Sequence, residues 1–225
     1  MINLISVFCV YTKLETVSEK TLIGRLRRYF LIYFETFSVP TADSLFLLIL
    51  SILALESAHS IRFLYHHFLS SITKRSLNVF YYACSYAKVD YSRFMNTTAR
   101  IALKLIPDSL QTQPVFLCVD DTMVSKFGTK FENVSKLFDH AAQNSSNYLN
   151  GHCFVSIMLC VPVWNQDKIS YLSVPLGYRM WKKKESKLEL AATMIRKVMP
   201  EFQSREHVII LCDSWYTKKN LVSVI

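Results

Sequence analysis

The stretch Pro114-Val115-Phe116-Leu117-Cys118-Val119-Asp120-Asp121-Thr122 constrains this chain more than any other. Five apolar residues run into a pair of carboxylates, the pattern of a strand buried on both faces that delivers acids to its exposed end. A second stretch of the same design, Val208-Ile209-Ile210-Leu211-Cys212-Asp213, closes the chain. Side by side, two such strands hold their acids a few ångströms apart. Because side chains alternate along a strand, Asp120 and Asp121 point to opposite faces, and one of them lines any shared site.

With 51% hydrophobic residues the chain has ample material for a packed core. Its 26 Lys and Arg against 17 Asp and Glu give a net charge of +9, which suits a polyanionic partner such as nucleic acid or an acidic membrane face. The six cysteines, Cys9, Cys84, Cys118, Cys153, Cys160 and Cys212, include no pair at C-x-x-C spacing. They read as buried free thiols in a reducing compartment. Residues 45–55 are strongly apolar but lie between Asp43 and Glu56, too short a run to cross a bilayer of about 30 Å. A buried helix is expected there. Residues 1–11 are apolar but lack the basic start and small-residue cleavage site of a signal peptide. The expectation is a cytoplasmic, nucleoid-associated protein with no membrane partner.

Up to about residue 106 the pattern is helical. Leu22, Leu26, Tyr29, Phe30 and Tyr33 recur at helical spacing, with Pro40 expected to end that segment and a second helix to cover residues 41–58. Two short helices follow, one carrying Ile61, Leu64, Tyr65 and Phe68 and the other Leu77, Phe80, Tyr81 and Cys84, with a break at residues 70–73. Such a pair is either an ordinary helical hairpin or a helix-turn-helix. In the second case Lys74, Arg75, Ser76 and Asn78 would open the helix that enters a DNA groove. His66-His67 lacks metal-ligand spacing and reads as structural.

The polar joint around Pro107 and Pro114 is where helical periodicity stops, and it divides a helical region, 1–110, from a second domain, 111–225. Strands are expected at residues 115–119, 152–161 and 169–174, with a long polar passage at 125–150 serving as surface loop or flap. Ser186-Lys187-Leu188-Glu189 has the form of a capping box, and Leu188, Ala191, Ala192, Ile195, Val198 and Met199 make one apolar helix face before Pro200. The order strand, strand, strand, helix, strand is the opening order of the ribonuclease-H-like fold, in which the first and fourth strands are neighbours. The fold class is thus α+β or α/β: a helical N-terminal region followed by a ribonuclease-H-like mixed sheet with flanking helices.

Phosphodiester cleavage needs a reactive nucleophilic oxygen and a neutralised leaving oxygen. Two divalent ions about 3.5–4 Å apart do both, and magnesium or manganese wants carboxylate oxygens from several elements. Asp121 and Asp213 fit that demand as catalytic and metal-binding residues. The competing reading is structural, since Asp commonly follows a strand as a turn former, and Asp213 before Ser214-Trp215 has the position of a helix cap.

Asp120-Asp121-Thr122, Lys126-Phe127-Gly128, Phe138-Asp139-His140, Asn150-Gly151-His152, Pro175-Leu176-Gly177-Tyr178-Arg179-Met180-Trp181 and Cys212-Asp213-Ser214-Trp215-Tyr216 together resemble a bacterial insertion-sequence transposase of the DDE class. The likeness runs from about residue 115 to the end, and the helical segment before it is similar to the DNA-binding part of such enzymes. The resemblance implies a ribonuclease-H-like catalytic domain in which Asp, Asp and Glu hold two magnesium (or manganese) ions. Water cuts at the transposon end, and the freed 3′ hydroxyl attacks target DNA. The acid before threonine is the family's first, which matches Asp121, and the second matches Asp213. The implied partners are double-stranded DNA, at transposon ends and target, and a second subunit, either a homodimer or a mixed dimer with a full-length transposase.

The family's glutamate lies on a helix after the fifth strand, and this sequence stops just past the fourth. Glu185, Glu189, Glu201 and Glu206 all precede Asp213, so none matches it. By resemblance the sheet is incomplete and the third ligand missing. The expectation is a truncated chain, catalytically inactive alone, with a non-catalytic DNA-binding remnant as the alternative. Arg179, Lys182, Lys183 and Lys184 form the densest basic run, placed between aromatic residues and suited either to phosphate contacts or to a solvated loop. Asp139-His140 near the scissile phosphate, and Lys218 and Lys219 on DNA, are lesser candidates.

Overall fold

A computed structural model describes residues 21–34, 36–56, 60–128, 130–138 and 147–217. Cys9, Asp139, His140, Lys218 and Lys219 lie outside the described residues. The chain packs as two compact units, Met1–Asp90 and Tyr91–Ile225.

The first unit is helical. Helix α1, Leu22–Phe34, meets α2, Val39–Leu55, through a cluster of Phe30, Phe34 and Phe46 with ring centroids 6.0–6.5 Å apart. Pro40 sits in the first turn of α2 instead of ending the preceding helix, because a first-turn residue needs no backbone N–H and Pro arrives with helical φ. The apolar run of α2 buries Phe46, Leu47, Leu48 and Leu50, as expected of a core helix. None of the described helices is long and apolar enough to cross a membrane.

The third helical stretch passes without a break from α3, Ile61–Leu64, through a π-helical turn, Tyr65–Leu69, into α4, Ser70–Ile72. The expected break at 70–73 therefore falls later, at extended Thr73, and α5 runs from Leu77 to Ser85. Arg75 holds this corner. Its Nη1 donates to the Pro40 carbonyl at 2.9 Å and Ser44 Oγ at 2.7 Å, and its Nη2 lies 3.4 Å from Asp43, which also pairs with Arg27 at 3.0 Å. Lys74, Ser76 and Asn78 are exposed beside it.

The second unit begins with helix α6, Tyr91–Lys104, whose buried Met95, Ala99 and Ala102 lie at helical spacing and join the sheet's core. This helix precedes the proline-marked joint yet packs with the residues that follow it, since that apolar stripe is covered by the sheet. Among the described residues the strands are β1, Val115–Ser125; β2, Ser135–Phe138; β3, Tyr148–Asn165; β4, Lys168–Met180; and β5, Val208–Cys212. Helix α7, Lys187–Val198, stands between β4 and β5.

β3 runs antiparallel to β1, β2 and β4, and β5 pairs parallel with β1, Val115 opposite Val208 through Val119 opposite Cys212. The expected neighbourhood of the two acid-bearing strands is therefore present, and the order is ribonuclease-H-like. Helices α6 and α7 cover one face, where Val115, Leu117, Val119, Val155, Ile157 and Leu159 are buried with Ala191, Ile195 and Val198.

β1 was expected to be buried on both faces. Its second face is only half-buried at Phe116 and Cys118, and Ile209 and Leu211 of β5 are exposed there. β1, β3 and β4 also outrun their expected limits, β5 keeps to its apolar run, and β2 lies inside the passage expected to be loop.

Candidate active site

β1 continues through Asp120 and Asp121 instead of ending before them, so backbone pairing with β3 fixes both carboxylates: Asp120 lies opposite Ser156 and Asp121 opposite Val155. Alternation then separates them. Asp121 belongs to the row Val115, Leu117, Val119 that faces α7, whereas Asp120 is exposed on the other face and its Oδ1 accepts from the Asp121 N–H at 2.8 Å.

Three donors meet the Asp121 carboxylate. Lys187 Nζ donates to Oδ2 at 2.6 Å, Cys153 Sγ to the same oxygen at 3.2 Å, and the Tyr216 hydroxyl to Oδ1 at 3.3 Å. The Lys187 ammonium also lies 5.9 Å from the Trp181 ring centroid and 5.6 Å from that of Trp215, close enough for both ring faces to attract it. Burial works against charging Lys187, but Asp121 by hydrogen bond and charge, together with Cys153 beside it, outweighs burial and raises its pKa. Burial and the neighbouring carboxylate push the Cys153 thiol up to about 11 and raise the Tyr216 hydroxyl further, keeping both as neutral donors.

Asp213 follows β5 directly. Its Oδ1 accepts from the N–H groups of Trp215 at 3.0 Å and Tyr216 at 3.3 Å, capping the 3₁₀ turn Ser214–Tyr216. The capping role weighed as the structural reading is thus realised. Tyr216, fully buried, ties the two acids together, its backbone N–H on Asp213 and its hydroxyl on Asp121.

The basic residues are dispersed. Arg179 lies in β4 with its guanidinium 5.6 Å from the Tyr91 ring, and Lys182, Lys183 and Lys184 are exposed in the turn between β4 and α7. In the first unit Lys74 is exposed, while Arg75 is engaged in the α2 contacts described above.

Sequence reasoning missed Lys187, Cys153 and Tyr216. A signal for Lys187 exists: it is the first residue of α7, where the positive end of the helix dipole disfavours a cation. A lysine in that place calls for an acid from elsewhere in the fold.

The donor chemistry fits a divalent cation in kind. Asp121 and Asp213 offer hard oxygens from neighbouring strands, and Asp121 already accommodates one cation, the Lys187 ammonium. Among the described residues no group of three or more His, Cys, Asp or Glu converges as metal ligands. Glu189 is spent in the α7 capping box and Glu201 pairs with Arg100 at 3.0 Å.

A ribonuclease-H-like sheet with one acid in β1 and another directly after its neighbour β5 is the setting of the site. A profile described as DDE superfamily endonuclease matches residues 80–225, and the chain belongs to that family, which makes this a nuclease or transposase type of domain. The family implies a DNA substrate, and its members generally use divalent metals. No curated protein matches the chain.

Proposed function

We propose that this chain takes part in DNA transposition, with Asp121 and Asp213 as two of the carboxylates of a metal-dependent site for strand cleavage and strand transfer. The observation that carries this reading is the placement of the two acids at adjacent parallel strands, joined through Tyr216. Asp121 and Asp213 would hold magnesium or manganese, which when bound activates the attacking oxygen and neutralises charge on the leaving one. The chain's own residues hold and orient the acids: Tyr216 and Cys153 fix the Asp121 carboxylate by neutral hydrogen bonds, and the Trp215 and Tyr216 N–H groups fix Asp213.

Lys182, Lys183 and Lys184 supply phosphate contacts at the turn before α7, with Arg179 near it and Lys74 at the α4–α5 corner, where Arg75 braces α2 and leaves the DNA contact to its neighbour. Double-stranded DNA at the nucleoid, at transposon ends and target, is the partner, bound by a homodimer or by a mixed dimer with a full-length transposase.

Residues 1–225 do not cut by themselves in this reading, since no third carboxylate stands beside Asp121 among the described residues. The Lys187 pairing and the capping duty of Asp213 favour the second reading, a non-catalytic protein that occupies transposon ends and inhibits a full-length relative. Nicking assays with magnesium or manganese on matching transposon ends test the point. No cleavage is expected, and robust cleavage abolished by Asp121→Ala would overturn it. Gel shifts should weaken steeply with salt as phosphate contacts are lost. Binding absent or insensitive to salt would refute both DNA readings.

A further inference from the structure

We propose that Lys187 is a built-in counter-cation of Asp121 that a divalent ion must displace, so that this lysine sets the metal affinity of the site. The inference rests on Asp121 being a cation ligand. The ammonium is 2.6 Å from Oδ2 and only about a fifth exposed, at 22% for the lysine side chain and 18% for the aspartate.

Its position is built from several sides. Cys153 shares the same carboxylate oxygen, the Trp181 and Trp215 rings lie within 6 Å of the ammonium, and the capping box of Ser186 and Glu189 fixes the backbone where Lys187 enters α7. The lysine also stands where its own helix dipole repels it. Asp121 supplies the compensating charge.

A small hard ion approaching Asp121 therefore meets an oxygen already bonded to a cation. Binding exchanges one cation for the other, and the free energy of the ion pair is subtracted from that of the metal. The released ammonium stays tethered at the start of α7, next to the Lys182, Lys183 and Lys184 turn, where a nucleic-acid phosphate would receive it. Metal entry and phosphate capture are thereby coupled through a single side chain.

The test uses the 225-residue chain with Mn²⁺ as the probe, followed by electron paramagnetic resonance of the free ion. Lys187→Met, which keeps length and apolar bulk, is expected to bind Mn²⁺ about tenfold more tightly, the factor equivalent to about 1.4 kcal/mol. Lys187→Arg, which keeps the charge, should stay near the wild-type value.

A second readout is tryptophan emission on adding Mg²⁺. The wild-type emission should change as the ammonium leaves the Trp181 and Trp215 rings, and the Lys187→Met emission should not. Equal or weaker Mn²⁺ binding by Lys187→Met, or identical emission changes in the two proteins, overturns the exchange. Asp121→Asn separates the two levels of the argument. If it leaves Mn²⁺ binding intact, Asp121 is not the ligand and the proposed function fails. If it abolishes binding while Lys187→Met gains nothing, only the exchange fails.

Discussion

A Cβ added to Gly151 would lie 2.3 Å from the Val124 carbonyl oxygen and 2.9 Å from Leu149 Cδ1. Gly151 stands opposite Ser125 of β1 and Ser135 of β2, so the clash is with backbone that two ladders hold in place. Gly151→Ala should cost about 1–3 kcal/mol, as overpacking does elsewhere. A urea midpoint lowered accordingly, with part of the β signal lost in far-UV circular dichroism, is the expected result; an unchanged midpoint would contradict it. At this scale the separation of Asp120 and Asp121 onto opposite faces was legible, because alternation along a strand is a local rule, whereas the choice of Asp121 rested on its place before Thr122, as in the family the sequence resembles. The partners of Asp121 were not. Lys187 lies 66 residues away in sequence and Tyr216 lies 95, and no periodicity reaches that far.

Helix α7 shows how a local signature serves a distant site. Ser186 Oγ accepts from the Glu189 N–H at 3.1 Å and the Glu189 carboxylate accepts from the Ser186 N–H at 3.0 Å, the reciprocal pair that its sequence announces. Ser186→Ala should destabilise the fold by about 1 kcal/mol and lower the melting temperature by about 2–4 °C, measured by thermal circular dichroism. The backbone hydrogen bond from Ser186 lowers the Glu189 pKa. The box therefore contributes above the ordinary carboxyl range and is lost as pH falls through the lowered value. In Ser186→Ala, stability should depend less on pH across that acid window. The start of α7 was readable because capping acts over three residues. The lengths of the longer strands were not: β4 carries Pro175 and Gly177, poor strand formers held by pairing with β3 across a register shift at Ile157/Met158.

At the scale of the whole molecule, stability should fall on the alkaline side of neutrality. Burial, reinforced by Cys160 with its sulfur 3.8 Å away, moves the Cys118 thiol from 9.0 to about 11. A group that binds its proton more tightly when folded stabilises fully below its unfolded pKa. That contribution is lost as pH rises through the folded value, from 9.0 to about 11 for Cys118. Urea melts at pH 7.5, 9.5 and 10.5 should show the decline, with a shallower one for Cys118→Ala, and equal slopes would exclude the thiol as its source. Sheet order followed from element order, since few topologies accommodate that succession. The packing of α6 with the sheet did not, because a helix stripe says that it is buried but not against what. Arg75 makes the same point from the first unit: a basic residue in a corner reads equally as a DNA contact or as a brace, and the structure uses it as a brace to α2. Tyr216 carries one more consequence. Holding Asp121 by its hydroxyl and Asp213 by its backbone, it makes the two acids energetically interdependent, so damage to one is partly damage to both. A double-mutant cycle across Asp121 and Asp213 would then be non-additive, and the cost of losing the second acid would depend on whether the first had already gone.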